Sequence, residues 1–439
     1  MNDLFTSFAT TTKEEWVALL QKELKGEPLD KLQKINKVEE IAFPSYFHKE
    51  DASNPHSDPG QLPYTRGIQS QSNEWHIATP FWIENEEATN KQLLAALMSG
   101  TTAIVLHAKN AGVIDFNSLL KAVEMEYIHT TLHAKTSQQV REFISFAGKH
   151  PITIVFDDST ALSELAMSGI SSACKLFTVD ASKVQAAGGT TWQEIAIALA
   201  EGHEILVELM DKELSIDDAA AMIQFNFGIG NKYFFELCKF KAFRTAWSRI
   251  IATYSPQHAC SHAATISAQT TFIHTSLKDP NTNLLRQTTE AMSAVVGGVN
   301  SLSIYPYDWY ATTQNTVFTN RMATNISLLL KEESYLNLVI DPAGGSYALD
   351  NLTDTIAERA WSSFQWIERN GGIYSVSVRN QLSTEISEKA NMRVQAVSEK
   401  TEKLIGINVF PNPEVINNEW QTLPSAWNGL PSLVIEQTI

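Results

Sequence analysis

The sequence predicts a (β/α)8 barrel with an N-terminal helical arm and an irregular C-terminal tail, and three observations predict it. From Trp75 onward, short strand patterns alternate with helical stripes. The strands number eight, the count that closes a ring of parallel strands. The stretch KLFTVDASKVQAAGG, Lys175 to Gly189, displays the repeating unit: Phe177, Val179 and Ala181 alternate with Thr178, Asp180 and Ser182, and a Gly-Gly break leads into a helix. A doubly wound open sheet would alternate in the same way, so the count of eight is the discriminator.

In chain order, residues 1–50 read as an arm for subunit contacts, 51–405 as the barrel and 406–439 as the tail. The arm carries one amphipathic helix with Trp16, Leu19, Leu20 and Leu24 on one stripe, then an extended segment from Val38 to Phe47. It is too short to fold alone, so it must pack on the barrel or on another chain. Asp51 to Gly67, dense in Pro, Gly, Ser and Asn, reads as a surface loop. The strands are expected at Trp75–Thr79, Ala103–Ala108, Ile128–Ala134, Ile152–Asp157, Leu176–Ala181, Met222–Phe227, Ala263–Ala268 and Ser301–Tyr305. Helices are expected at Gln138–Ala147, Lys232–Ile251 and Asn315–Glu333, with Thr191 and Glu194 as a capping box opening another. Ile356, Ala360, Phe364 and Ile367 share a further helical face, and the stretch from about 380 to 405 is polar and helical. Four prolines make Asn408 to Ile439 irregular.

Composition bounds the function. The chain has 439 residues, 44% hydrophobic and 19% charged, an ordinary soluble globular balance. Its net charge of −16 argues against nucleic acid or an anionic membrane as partner, since both require a basic face. Cys174, Cys238 and Cys260 are widely spaced without a CxxC, which fits a reducing cytoplasm. The N-terminus lacks a basic region followed by an apolar core, so no signal peptide is expected.

The strands carry polar faces: His129, Thr131 and His133; Thr178 and Asp180; Gln224 and Asn226; Thr265, Ser267 and Gln269. Barrels of this type are usually filled by Val, Ile and Leu. Either Thr serves here as a good strand former near strand ends, or the axis is hydrated and accepts a ligand. His258, Cys260 and His262 alternate, but a buried metal needs further ligands and none is signalled nearby, so no metal site is expected. No phosphate-binding GxxxxGK[ST] loop, dinucleotide fingerprint or GxSxG is present, and Arg66 in the exposed loop either presents itself to a phosphate or, as a lone exposed Arg more commonly does, is simply solvated.

Six motifs in order resemble the methylmalonyl-CoA mutase family, and most closely its small, non-catalytic subunit. They are PYTRG (Pro63 to Gly67), FNFGIGNKYFFELCKFKAFRTAW (Phe225 to Trp247), DPNTNLLRQTTEA (Asp279 to Ala291), GGVNSLSIYPYDW (Gly297 to Trp309), TNRMATNISLLLKEES (Thr319 to Ser334) and VIDPAGGSY (Val339 to Tyr347). The resemblance implies a barrel lined by small polar side chains, through which an acyl-CoA threads, with adenosylcobalamin closing one end and supplying a radical that interconverts methylmalonyl and succinyl skeletons.

The departures carry the functional expectation. Active chains of the family have a Tyr-His-Met-Gln-Glu-Ala-Gly loop after the fifth strand; here it is Ser182-Lys183-Val184-Gln185-Ala186-Ala187-Gly188. A flexible ammonium copies neither the geometry nor the pKa of an imidazole. The family's active-site Tyr after Arg66-Gly67 is missing from IQSQSNEW, and Ser303 matches another family His near the corrin. Gln269 keeps the start of a substrate-lining Gln-Thr-Ser-Gly-Trp stretch whose Gly and Trp are lost. No cobalt-binding Asp-x-His-x-x-Gly follows, so no cobalamin-binding domain is expected in this chain. The resemblance therefore implies no catalytic residue, with Ser182, Lys183 and Ser303 as degenerate positions, and vestigial substrate contacts at Arg66, Gln185 and Gln269. It implies adenosylcobalamin on a homologous large subunit of a heterodimer, not on this chain, and acyl-CoA bound here at most weakly. Two alternatives remain at this point: an active acyl-CoA mutase barrel using a cobalamin domain on a separate chain, and a regulatory acyl-CoA-binding barrel.

Overall fold

A computed structural model describes residues 11–52, 56–168, 174–414 and 416–439. Eight parallel strand positions form the expected barrel: β1 His76–Ile83, β2 Ala103–Ala108, β3 His129–His133, β4 Ile152–Val155, β5 in two pieces at Cys174–Lys175 and Phe177–Asp180, β6 Ile223–Ile229, β7 Ile266–Thr270 and β8 Ser301–Ser303. The first piece of β5 pairs with β4, Thr153 opposite Lys175, and the second with β6, Phe177 opposite Ile223. The two ends of the sheet order are thus one stretch of chain broken at Leu176, and the ring closes there.

Side-chain alternation decides what fills the ring. Ile104, Leu106, Leu132, Ile154, Val179, Phe225, Phe227 and Leu302 point outward and are buried against the helices. The hydrophobic core is therefore a shell between strands and helices, and the axis is left to the polar faces. Phe225 and Trp247 meet edge to face at 4.7 Å in this shell. A Cβ on Gly202 would lie 2.8 Å from the Phe225 ring, so only glycine allows the Thr191–Asp211 helix this close to the sheet.

Several boundaries differ from expectation, three of them for a physical reason visible in the structure. β1 runs through Pro80 to Ile83, because β2 continues beside it in register to Ile83 opposite Ala108. β7 starts at Ile266, preceded by a turn at Ala259–His262 whose Ser261 hydroxyl is bound by Asp217. The helix after β5 is capped one residue earlier than expected: Thr190 and Gln193 form the capping box. Glu194 is committed elsewhere, accepting the Gly228 N–H at 2.8 Å and the Lys239 ammonium at 2.8 Å.

The arm divides. Strands Lys34–Asn36 and Ile41–Phe43 form an antiparallel hairpin, and Ile41 is part of the barrel's own core. Buried Glu39 accepts the Thr191 N–H at 2.9 Å, and Glu40 pairs with Lys389 at 2.5 Å. The Lys13–Glu23 helix buries none of its residues. Trp16 stacks on Tyr46 at 3.9 Å, while Leu19 stays 55% exposed. No helix among the described residues is long and apolar enough to cross a membrane.

Candidate functional site

The inward strand faces enclose an axial chamber of about 250 Å³. Its polar groups are bonded around the ring. Gln224 Oε1 accepts from the Thr153 hydroxyl at 3.2 Å, and Gln224 Nε2 donates to the Ser267 hydroxyl at 3.1 Å. Asn226 Nδ2 donates to Asp180 at 2.8 Å and to Gln269 Oε1 at 3.0 Å. His129 Nε2 lies 2.9 Å from the Thr153 hydroxyl; because that hydroxyl gives its proton to Gln224, the imidazole is the donor.

Four imidazoles stack in two pairs along the axis, His76 on His129 at 5.8 Å and His107 on His133 at 4.1 Å. Burial lowers all of them, His129 to about 4 and His133 to about 3, with His76 lowered and His107 well below its ordinary value. They are neutral at pH 7, able to donate and accept hydrogen bonds but not to act as acids. Burial also pushes Tyr305 up, so its phenol keeps its proton, and its oxygen lies within hydrogen-bond distance of His107 Nε2 at 2.8 Å. Among the described residues, Lys175 is the one ammonium in the lining and no carboxylate lines the chamber; Lys175 Nζ donates to the Ala221 carbonyl at 2.6 Å. Such a lining suits a neutral or anionic polar ligand.

At the C-terminal ends of the strands the axis widens into a mouth of about 280 Å³, sharing His133, Val155, Gln269 and Tyr305 with the chamber below. Trp82, Phe272 and Tyr310 give it an aromatic wall, and Leu423 to Ala426 with Leu433 of the tail lie across it.

Ser182, Lys183, Gln269 and Ser303 are brought together around this axis. Ser182 and Lys183 open the short Ser182–Ala186 helix after β5. Lys183 Nζ binds Asp157 at 2.9 Å. Although burial opposes its charge, Asp180 and Asp157 hold this ammonium above its ordinary value. The Ser303 hydroxyl is buried without a partner among the described residues. Gln185 lies elsewhere: it accepts from the Thr271 hydroxyl at 2.7 Å and donates to Glu236, behind the strand ends. Arg66 sits on the outer helical ring, its Nε 2.9 Å from Asp341, a carboxylate shared with buried Lys241. His262 Nδ1 bonds the Ser248 carbonyl at 3.1 Å, and no group of three metal-ligating side chains occurs among the described residues.

His107 and Tyr305 went unread as axis residues. The AIVLHA strand looks uniformly apolar, yet Ala103, Val105 and His107 share one parity, and that parity places His107 inward.

The resemblance implies adenosylcobalamin on the large subunit rather than on this chain, and the side chains at these strand ends do not fit a corrin. The tail lies over this face, and the one ionisable group of the loop after β5 is an ammonium tied to Asp157.

Residues 156–426 match the family described as methylmalonyl-CoA mutase. The chain is similar to the methylmalonyl-CoA mutase small subunit of Porphyromonas gingivalis, 29% identical over 444 residues, covering 93% of this chain and 71% of that one. It is 24% identical to the small subunit from Propionibacterium freudenreichii subsp. shermanii, over 95% of this chain and 72% of that one. A methylmalonyl-CoA mutase of Rhizobium meliloti is 36% identical over 227 residues, which span 52% of this chain and 32% of that protein.

Proposed function

The chain belongs to the methylmalonyl-CoA mutase family, and on that premise we propose that it is the small, non-catalytic subunit of a heterodimeric, adenosylcobalamin-dependent mutase interconverting methylmalonyl-CoA and succinyl-CoA. Its barrel serves as the architectural partner of a homologous large subunit, in the cytoplasm, and the cofactor sits on that partner. The observation that carries this reading is the loop after β5: Lys183 stands in the mouth, paired with Asp157, where the family's active chains place an imidazole. The chamber's own imidazoles come from other strands and are held neutral by burial, with His107 engaged by Tyr305. The test is a mutase assay of the purified chain with adenosylcobalamin, alone and with a homologous large chain. Turnover should appear only with the large chain. Succinyl-CoA formation by the chain alone defeats the reading.

One observation favours retained ligand binding beside the architectural role. Ser303 is 8% exposed and, among the described residues, its hydroxyl is unpartnered in a polar chamber. A buried hydroxyl without a partner costs stability, and a ligand carbonyl would satisfy it. Calorimetric titration with an acyl-CoA should give weak binding that Ser303→Ala reduces; no heat at millimolar ligand removes this second role.

A further inference from the structure

The tail of this chain is seated far more specifically than an irregular, proline-bearing segment requires. Glu436 is buried, and its carboxylate accepts four hydrogen bonds: from the Ser276 hydroxyl, from the Leu277 N–H at 2.8 Å, from the Lys278 N–H at 3.2 Å and from Trp420 Nε1 at 3.1 Å. Leu433 N–H donates to the Ala186 carbonyl at 2.7 Å, on the loop after β5, and Ile435 N–H donates to the Ile273 carbonyl at 3.0 Å, beyond β7. Trp427, 4% exposed, donates Nε1 to Glu201 at 2.9 Å. The tail is thus fastened to both sides of the mouth, and Leu423 to Ala426 cross between the fastenings as part of the mouth's lining. Lys183, 36% exposed, and Asp157, 88% exposed, line the mouth beside it, so the mouth stays open to solvent there as a slot.

We propose that residues 423–436 act as a built-in strap that bars a planar macrocycle from the strand ends while leaving the axial chamber reachable by slender molecules through the slot. The strap acts by occupancy: a flat ring system needs the surface that Leu423, Pro424 and Leu433 cover, whereas a narrow chain does not. This deepens the non-catalytic reading and rests on it only for which macrocycle is excluded.

The full chain tests it in two ways. In the unmodified protein, the Leu433 and Ile435 amides should exchange with deuterium at least about 100-fold more slowly than unstructured amides, as expected of hydrogen bonds that open only with the local fold. Exchange at unstructured rates means the strap is not seated and overturns the proposal. Separately, Ala186→Cys in a Cys260→Ser background places a thiol beneath the strap. It should react slowly with a bulky polyethylene-glycol maleimide and about tenfold faster once Glu436→Ala releases the fastening, as local opening governs access. Equal rates with and without Glu436→Ala overturn the proposal. Far-UV circular dichroism checks that this variant folds; if it does not, Trp427→Phe, which removes only the Glu201 bond, replaces it with the same expected direction. Neither readout depends on mutase activity, so an active isolated chain would refute the functional reading and leave the strap measurable.

Discussion

The His107 and His133 rings stack with centroids 4.1 Å apart where the polar chamber meets the mouth. Two imidazoles this close cannot both carry a proton without strong repulsion. With His129 at about 4 and His133 at about 3, against an ordinary value of 6.5, the unfolded chain binds protons that the folded chain refuses. The stabilisation is therefore complete above pH 6.5 and is lost as pH falls toward 4 and below. Each histidine adds a slope of up to about 1.4 kcal/mol per pH unit in that window. Urea unfolding between pH 7 and pH 4 should show the decline, and His129→Gln should flatten it. Stability unchanged across this range refutes the neutral-stack account.

Lys239 should be indispensable to folding. It is fully buried, with its ammonium bound to Glu194, Glu236 and the Gly228 carbonyl. Burial lifts Glu194 to about 8 even with this partner present. Lys239→Ala leaves buried carboxylates unpaired, a loss of about 3–5 kcal/mol. Chemical denaturation reads it directly; a loss under about 1 kcal/mol shows that the acids simply take up protons.

Lys183 should be dispensable. Lys183→Ala in a reconstituted complex is expected to keep activity within a few-fold, since its ion pair is to Asp157, which is 88% exposed. A loss of about 100-fold with the complex intact, equivalent to roughly 2.7 kcal/mol of transition-state stabilisation, would place this mouth in the reaction.

Deleting residues 1–30 separates the two halves of the arm. The Lys13–Glu23 helix buries none of its residues, whereas the hairpin that follows is anchored in the barrel's core through Ile41. The melting temperature of the isolated chain should change little, and association with the large chain should weaken. Undiminished association in sedimentation velocity, with a lowered melting temperature, refutes a bridging role for the helix.

The sequence by itself determined the number and order of the barrel strands and showed that several of them carry a polar face. Strand alternation is local: a residue's parity sets whether it meets the helices or the axis, so Thr178, Gln224 and Gln269 could be placed inward without any contact map. The family motifs that Ser182, Lys183 and Ser303 interrupt singled these residues out, and the closed barrel brings them around one axis. Tertiary structure alone decided the rest. Gln185 turns behind the strand ends because buried Glu236 and Thr271 claim its amide, and Arg66 faces Asp341 across 275 positions of sequence. The tail has no periodicity to read, and its path over the mouth depends on Glu436 meeting Ser276, 160 positions away. Periodic patterns report a residue's local environment; which distant partner satisfies a buried charge is fixed only when the chain has closed around it.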